Sequence, residues 1–453
     1  MKILITSLYR PGNETGTARI SEELSETLSK KHDVTYLCLG EKYQIKKRNR
    51  NLFYFTIPSL PIKQAYVPKL TPDVVRQMFK DLDKISPDVI HAQNIAFTTL
   101  ICLIWAIRNN SAFVVTFHSL PSEGINYVFP KLSNKKILSQ INYSLSKSYN
   151  KKLLENVNLI IALNKYVQRS IHAITRKTKT IVINNGLDLK PFRELEIKTS
   201  EKDKVFTFVG SFVGRKNQEF LVKAFAHLPK SYHLKLYGNI KSGDDYVKKI
   251  KKIIVNKRIN NVEIHDFIDR KKLLQVLAKS DYFVSASMKE VQSLVIIESL
   301  ASATPIIGLK NETINELIDG KNGISFPKNI TPRAFAKNIF KYVKTNEKDY
   351  YETSRYAREG IQKFDIGYVS EKILNAYEIA KKIKSKKNSK VVEELISILP
   401  KSLQELLRGY YDRLKRRKTT RIWVFVGISM LLTILTYPIL NFVNYLKNKR
   451  VFG

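Results

Sequence analysis

Two glutamates eight residues apart carry the clearest chemical signal in the chain. Glu290 follows the apolar run YFVSAS, and Glu298 lies inside the apolar helix that begins near Ser293. One carboxylate can face a cleft from the loop and the other from the second helical turn, while the first-turn amides of Ser293, Leu294 and Val295 point at the same space. Two carboxylates beside an anion-binding helix end indicate a sugar-phosphate site. At this spacing a solvated Glu298 is the alternative.

A glycine-containing turn near the amino terminus is a second candidate anion site. Gly12 and Gly16 lie between the first apolar run and a helix, where free backbone amides can meet an anion. Their Gly-x3-Gly spacing differs from the GxGxxG fingerprint of dinucleotide-binding folds. A plain tight turn is an equal alternative.

The sequence offers little for a metal ion or a disulfide. The two cysteines, Cys38 and Cys102, both lie in apolar runs and are predicted to be buried thiols in a reducing compartment. The seven histidines lack the close spacings of Cys/His metal sites. We therefore expect no metal site.

Three other polar features are predicted to be structural. Asp81 and Asp83 form a DxD sequence within a polar helical stretch, which favours a solvated helix face over a metal site. His91 and His265 lie within strand-like runs and are predicted to be core or strand-end histidines.

Alternating elements must position these residues. Short apolar runs alternate with amphipathic stretches through about residue 370, and a polar joint near Glu194 to Lys204 divides them into two series. This pattern is typical of βαβ units with parallel sheets. It predicts two facing doubly wound α/β domains, residues 1–193 and 194–375. Ligands bind at the carboxyl ends of such strands.

A change of composition marks the carboxyl-terminal region. Residues 376–421 are predicted to form a basic amphipathic segment, with 14 Lys/Arg against 4 Asp/Glu between Lys381 and Arg421. Residues 422–446 contain no charged residue, and about 20 apolar residues span a bilayer as a helix. We expect a single membrane helix there, with the apolar residues of Val391 to Leu407 lying along the membrane face.

Charge on either side of this predicted span sets its orientation. Six basic residues precede it within a few positions and three follow it. The positive-inside rule therefore predicts that the folded domains lie in the cytoplasm. Basic residues beside a bilayer also favour an anionic lipid surface.

The net charge of +38 points to a polyanionic partner. The candidate partners are nucleic acid, a phosphorylated substrate and an anionic membrane. The alternative is that the lysines are simply spread over solvated surfaces. Basic residues are not interleaved with aromatics as in nucleic-acid-binding modules, so nucleic acid is not the expected partner.

The order of motifs resembles that of the retaining glycosyltransferases of family 4, which have the GT-B fold. The resemblance covers roughly residues 1–375 and includes the Glu-x7-Glu stretch followed by ETINELIDGKNGISF. The other matching segments are PDVIHAQ (Pro87 to Gln93), VVTFHS ending at Ser119, VINNGLDLKPF (Val182 to Phe192), VGSFVGRKNQEFLVKAF (Val209 to Phe225) and LYGN (Leu236 to Asn239).

This resemblance implies roles for individual residues. Glu290 would contact the donor sugar at its reacting face, and Glu298 would hold the ribose hydroxyls. Lys216 would clamp the diphosphate, where a cation stabilises the leaving group. His118 would line the sugar pocket from the amino-terminal domain.

Further donor contacts follow from the same resemblance. Gly16 corresponds to the glycine loop, and the amides of Ser293 and Leu294 correspond to those that hold sugar and phosphate oxygens. Gly238 of LYGN and Val295 are expected at the same site.

The chain departs from the family pattern at three places. Ser211 stands where the family has an arginine, and Arg215 is the nearest candidate to supply the missing charge. Val291-Gln292-Ser293 replaces the usual Gly-Phe-Gly. Gln93 replaces a common histidine.

The resemblance implies a retaining, metal-independent hexosyltransferase with a nucleotide-diphosphate sugar as donor substrate and no resident cofactor. Its acceptor would be lipid-linked or otherwise membrane-associated, because the predicted anchor holds the cleft at the bilayer. A catalytically inactive membrane-bound scaffold of the same fold is the alternative, for which Ser211 is the main argument. A basic nucleic-acid-binding protein is a further, less favoured one.

Overall fold

Two parallel sheets organise the chain. A computed structural model describes residues 1–13, 15–62, 65–118, 147–199, 202–241, 244–383, 389–397 and 403–408. Within these residues one sheet is built from the amino-terminal half and the other from the carboxyl-terminal half. The prediction of two doubly wound α/β domains is confirmed.

The amino-terminal sheet has the order β3-β4-β2-β1-β6-β7-β8-β9, with β5 paired to β4. Its strands are β1 Lys2–Thr6, β2 Asp33–Gly40, β3 Gln44–Lys47, β4 Leu52–Ile62, β5 Ala65–Pro68, β6 Val89–Ala92, β7 Ala112–Phe117, β8 Leu159–Ala162 and β9 Thr180–Val182. All pairings are parallel except those of β3 and β5 with β4. The helices are α1 Gly16–Leu28, α2 Pro72–Ile85, α3 Phe97–Asn109, α4 Lys165–His172 and α5 Lys190–Arg193.

The carboxyl-terminal sheet is parallel throughout and has the order β12-β11-β10-β13-β14-β15. Its strands are β10 Lys204–Val209, β11 Tyr232–Tyr237, β12 Val262–His265, β13 Tyr282–Ser285, β14 Ile306–Leu309 and β15 Gly323–Phe326. Its helices are α6 Gln218–Phe225, α7 Asp244–Asn256, α8 Arg270–Ala278, α9 Leu294–Ala301, α10 Glu312–Leu317, α11 Pro332–Thr345 and α12 Tyr350–Glu359.

Both sheets reverse their strand order near the middle, and this creates a crevice at the carboxyl ends of the strands. The reversal falls between β1 and β6 in the first sheet and between β10 and β13 in the second. In open parallel sheets, ligands bind at such switch points. A ligand site is therefore expected in the loops that follow these four strands.

The apolar helix α3 lies in the core of the amino-terminal domain. Every residue from Leu100 to Ile107 is at most 4% exposed. Cys102 is among them, and it and Cys38 are both free, buried thiols. A helix that is apolar on all sides must be covered on all sides. One face of α3 packs on β6 and β7, which leaves the outer face in need of a partner.

The carboxyl-terminal segment supplies that partner. Helix α14, Ser389–Ile396, packs on α3, and its Leu395 and Ile396 are fully buried there. Leu403 and Leu407 are each 3% exposed in the same core. Residues 398–402 lie outside the described residues. For the buried apolar side chains of this segment the prediction that Val391 to Leu407 lie along a membrane face is wrong. These side chains cover the outer face of α3 instead: Val392, Leu395, Ile396, Leu403 and Leu407.

A long helix carries the chain back to the first domain. Helix α13, Ile366–Lys382, packs on α1, β7 and β8, and Tyr377 at its centre is fully buried. The two connecting segments run side by side, because Leu187 N donates to Phe364 O at 2.8 Å and Ile366 N donates to Leu187 O at 2.9 Å. The predicted domain limit at residue 375 thus falls within a helix that packs on the amino-terminal domain.

The predicted membrane helix, residues 422–446, lies outside the described residues. None of the helices in the described ranges combines the length and the apolar character needed to cross a bilayer. The basic stretch that precedes the predicted span, residues 409–421, is likewise outside these ranges.

Truncation of Leu395 tests the packing of the carboxyl-terminal segment on α3. We expect Leu395→Ala to lower the free energy of unfolding by about 2–5 kcal/mol, because it leaves a cavity in the core. Glu405→Ala, at an exposed position of the same segment, should change it by less than about 0.5 kcal/mol. Denaturant unfolding measures both, and equal stabilities for the two variants would contradict the packing described.

Candidate active site

Glu290 lies in the loop that follows β13, and four contacts hold this loop. Its carboxylate pairs with the Lys216 ammonium, and the Arg215 guanidinium lies 3.8 Å from its other oxygen. The Glu290 amide donates to the Glu312 carboxylate at 3.1 Å. The Met288 amide donates to the Arg215 carbonyl at 2.9 Å. The loop that follows β13 is thus joined to the loop that follows β10.

Lys216 ends a short 3₁₀ turn, Gly214–Lys216, ahead of α6. Its side chain is 12% exposed and that of Glu290 is 9% exposed, whereas Arg215 is 45% exposed. Ser211 is exposed at the start of this loop, and its carbonyl accepts from Gln218 Nε2 at 2.8 Å. Ser211 brings no charge, but Arg215 does reach the carboxylate that Lys216 holds. Two cations therefore meet at this position.

Gly238 allows β10 and β11 to end side by side next to Lys216. A Cβ atom at Gly238 would lie 2.2 Å from the Gly210 carbonyl oxygen, a distance that no side chain can occupy. The Gly210 amide in turn donates to the Tyr237 carbonyl at 3.0 Å. The resemblance assigns Gly238 to the donor site, and the structure gives it a packing role at the edge of that site.

The amino terminus of α9 offers fewer amides than the sequence predicts. The Ser293 amide donates to Thr313 Oγ1 at 3.1 Å, so the protein itself uses it. The first intrahelical bond runs from Ile297 N to Ser293 O at 3.4 Å. The amides of Leu294 and Val295 precede that bond, and first-turn amides have no intrahelical acceptor. These two amides can meet an anion.

Gly16, the first residue of α1, packs against this helix terminus from the other domain. A Cβ atom at Gly16 would lie 3.1 Å from Leu294 Cδ1. Any larger residue would push Leu294 away. The predicted glycine loop and the predicted helix terminus therefore meet across the cleft.

Glu298 is buried, at 2% exposure, and pairs with Arg19 of α1. The alternative of a solvated Glu298 is wrong. Arg19 Nε also lies 3.7 Å from Glu23 Oε1, one turn further along α1. Sequence reasoning missed Arg19. The sequence signal for Arg19 is weak. Arg19 lies three residues after Gly16 and four before Glu23, so all three residues share one face of α1.

A second ion pair crosses the cleft beside the first. Arg270 of α8 donates to Glu23 at 2.5 Å and to the Asp188 carbonyl at 3.4 Å. Burial raises the pKa of Glu23, and the two arginines oppose that rise. Each domain thus contributes one arginine and one glutamate to a cluster of four charges: Arg19, Glu23, Arg270 and Glu298.

The residues that replace Gly-Phe-Gly bind the amino-terminal domain. Asn164 Nδ2 donates to the Val291 carbonyl at 2.6 Å, and the Asn185 amide donates to Gln292 Oε1 at 2.8 Å. The Val291 side chain packs on the core of that domain. The departure from the family pattern therefore anchors the loop of Glu290 to the opposite domain.

His118 directly follows β7 on the amino-terminal side of the cleft. Its Nε2 lies 2.6 Å from Gln93 Oε1, and an amide oxygen accepts, so Nε2 carries the proton. Burial lowers the pKa of His118 to about 4. Its ring is neutral near pH 7. Gln93, which replaces a histidine of the family, holds His118 in this tautomer.

His91 is the core histidine that the sequence predicts. It is fully buried in β6, where Nδ1 lies 2.7 Å from Tyr377 Oη and Nε2 lies 2.7 Å from Thr116 Oγ1. Burial, and the nearby His118, lower the pKa of His91 to about 3. The His265 ring stacks on Tyr237 at the end of β12, with 4.7 Å between centroids.

The DxD residues are structural, although one is not solvated as predicted. Asp81 is 7% exposed and accepts from Tyr43 Oη at 2.8 Å. Asp83 accepts from Trp105 Nε1 at 2.8 Å. Within the part of the chain that the structure describes, no three His, Cys, Asp or Glu side chains gather as metal ligands.

The structure therefore brings the predicted residues together in two groups and places one apart. Lys216, Arg215 and Glu290 meet at the ends of β10 and β13, with Gly238 beside them. Along α9, Leu294 lies against Gly16 and Glu298 pairs with Arg19, both of α1. His118 lies on the other wall of the cleft, on Gln93.

Each of the two Rossmann-like domains matches a family model of glycosyltransferases. Residues 15–191 match Glycosyltransferase Family 4, and residues 192–360 match Glycosyl transferases group 1. The chain belongs to the glycosyltransferases that join these two domains, and its fold is GT-B-like.

Two named relatives are similar to this chain over more than half of its length. An uncharacterized glycosyltransferase of Methanocaldococcus jannaschii is 24% identical over 76% of this chain and 89% of its own length. Alpha-monoglucosyldiacylglycerol synthase of Acholeplasma laidlawii is 25% identical over 56% of this chain and 67% of its own.

Two solved structures share the fold. Sucrose-phosphate synthase from Thermosynechococcus elongatus superposes with a TM-score of 0.67 at 17% identity, over 83% of this chain and 98% of that one. HepE of Anabaena, in complex with UDP-glucose, superposes with a TM-score of 0.63 at 18% identity, over 83% and 99%.

His91 makes stability depend on pH. An unfolded histidine has a pKa of about 6.5, so between that value and about 3 the unfolded chain binds more protons at this position than the folded chain. The free energy of unfolding should therefore fall as the pH is lowered through this window. We expect His91→Gln to flatten that fall by up to about 1.4 kcal/mol per pH unit. Unfolding measured between pH 7 and 5 tests this, and equal slopes for both proteins would contradict it.

Proposed function

We propose that this protein is a retaining glycosyltransferase that moves a hexose from a nucleotide-diphosphate sugar to a lipid-linked or other membrane-associated acceptor at the cytoplasmic membrane face. The main support for the proposal is that the side chains of Lys216 and Arg215 both approach the Glu290 carboxylate, beside the amino terminus of α9. Such a cluster suits a diphosphate next to a reacting sugar.

The donor diphosphate would be held by side-chain cations and helix amides together. Lys216 is mostly buried, so its charge is less screened there than in water. Negative charge develops on the diphosphate as its bond to the sugar breaks, and preorganised cations and amides stabilise that charge most in the transition state. Lys216, Arg215 and the amides of Leu294 and Val295 are assigned to this role.

The sugar would lie between the two domains. Glu290 is assigned to the reacting face, where the acceptor hydroxyl approaches from the side that the diphosphate leaves. The neutral His118 ring faces the sugar from the other wall as a hydrogen-bonding group without charge. Glu298 is assigned to the ribose hydroxyls. These residues have orienting and electrostatic roles, and none is assigned as a nucleophile.

A membrane acceptor is supported by a relative and by charge. The Acholeplasma relative is, by its name, a synthase of a glucosylated diacylglycerol. In this chain the stretch between Glu41 and Asp73 contains seven Lys/Arg and no Asp/Glu. It forms β3, β4 and β5 at one edge of the amino-terminal sheet, where Lys46 and Arg48 are exposed. Such an edge favours an anionic lipid surface.

An inactive scaffold of the same fold is the second candidate, and Ser211 favours it. The proximity of Arg215 to Glu290 weakens that argument, because a second cation is present after all. A direct experiment separates the two. Binding of a panel of nucleotide sugars, followed by a product assay on membrane lipid extract with mass analysis of lipid-linked sugars, should show both donor binding and a new glycolipid. Donor binding without any product would favour the scaffold.

Lys216→Ala tests the diphosphate clamp. We expect turnover to fall by about 10²–10³, the typical effect of removing one preorganised stabiliser of developing charge. Lys223→Ala is the matched control, because Lys223 lies on α6 and pairs with Glu219 away from the cleft. It should retain wild-type turnover. Steady-state kinetics measure both, and near-normal turnover in Lys216→Ala would assign the phosphates to other groups.

Removal of the predicted membrane helix tests the acceptor. A chain ending at Arg421 keeps α14 and should bind the donor and glycosylate a short soluble acceptor analogue as the full chain does. Its transfer to a long-chain lipid acceptor in vesicles should fall sharply, because the cleft is no longer held at the bilayer. A chain ending before Lys386 should lose stability as well, since it lacks the residues that cover α3. Equal loss on both acceptors by the longer chain would contradict the anchoring role.

A further inference from the structure

The partner of Glu298 comes from the opposite domain, and this points to a role for Arg19. We propose that Arg19 is a positioning residue for the donor site, which holds the Glu298 carboxylate in place for the ribose hydroxyls without itself contacting the donor. This inference rests on the proposed function, in which Glu298 binds the ribose. It links the amino-terminal domain to nucleotide binding on the carboxyl-terminal domain.

Two contacts one helical turn apart align α1 with α9. Gly16 meets Leu294 at the start of both helices, and Arg19 meets Glu298 one turn later on each. The first contact permits close approach because Gly16 has no side chain. The second contact then places a guanidinium on the carboxylate. A lysine or a shorter side chain on α1 would not present a planar donor group in the same way.

Glu298 requires such a partner because it is removed from water. Its side chain is 2% exposed, and an unpaired buried carboxylate is strongly destabilising. Arg19 also lies near a second carboxylate, since its Nε is 3.7 Å from Glu23, which pairs with Arg270 of the carboxyl-terminal domain at 2.5 Å. The guanidinium therefore meets Glu298 within a network of charges from both domains.

Arg19 uses one of the two oxygens of the Glu298 carboxylate. It contacts Glu298 Oε1. An ionised carboxylate has two oxygens and about four acceptor positions, so Oε2 can accept from a ribose hydroxyl while Arg19 stays on Oε1. Arg19 and the donor are therefore expected to bind Glu298 together, and Arg19 should strengthen nucleotide binding.

Ligand pairs that differ at the ribose isolate this role. The nucleoside diphosphate that the full chain binds best among UDP, GDP and ADP is compared by calorimetry with its 2′-deoxy form. We expect Arg19→Ala to weaken the ribonucleotide about tenfold, as when a charge-assisted hydrogen-bond partner is lost, and to reduce the discrimination against the deoxy form. Arg19→Lys should recover part of both. Arg76→Ala, on the exposed face of α2, is the matched control and should change neither.

A double-mutant cycle shows whether Arg19 acts through Glu298. Arg19→Ala should have little further effect on nucleotide affinity in a Glu298→Gln background. Additive losses, or a loss in Arg19→Ala with unchanged discrimination at the ribose, would overturn the inference and leave Arg19 as a direct phosphate ligand or a packing residue. Wild-type protein that binds nucleotides without any preference for the ribose hydroxyl would instead refute the assigned role of Glu298.

Discussion

Two carboxylates are buried in a cleft between domains, and a buried carboxylate is stable only beside a cation or several hydrogen-bond donors. Glu290 has Lys216 and Arg215, and Glu298 has Arg19. The first set is local to one domain, whereas the second crosses between domains. The difference matters, because the cations beside Glu290 come from the carboxyl-terminal domain alone, whereas the pairing of Glu298 with its cation depends on how the two domains meet.

The features that could be predicted from the sequence are those that depend on residues close together in the chain. The two strand series and the buried α3 follow from apolar periodicity, whereas Lys216 is assigned to the site of Glu290 by the resemblance to the family. Arg19 could not be found this way. Its partner lies 279 positions away, on another domain, and only the packing of α1 against α9 brings the two together.

Two of the wrong predictions, on the surface that α14 covers and on the Ser293 amide, also have a physical origin. An amphipathic segment beside a predicted membrane helix has the same apolar stripe whether it faces lipid or protein, and the sequence of α14 alone does not tell which surface it covers. In the structure, the apolar stripe of α14 packs on the outer face of α3 and so faces protein. In the same way, a first-turn amide is available only if no neighbouring hydroxyl reaches it, and Thr313, 20 positions after Ser293, does reach that amide.

The return of the chain to its first domain has a consequence for how the protein is made. The core of the amino-terminal domain includes Tyr377 of α13 and Leu395 of α14, both fully buried. A ribosome therefore releases the second domain before it has supplied the last pieces of the first. The amino-terminal domain must wait, with the outer face of α3 uncovered, until translation reaches the very region that precedes the predicted membrane helix. Completion of its core is therefore a late event in synthesis, and it follows the release of the whole second domain.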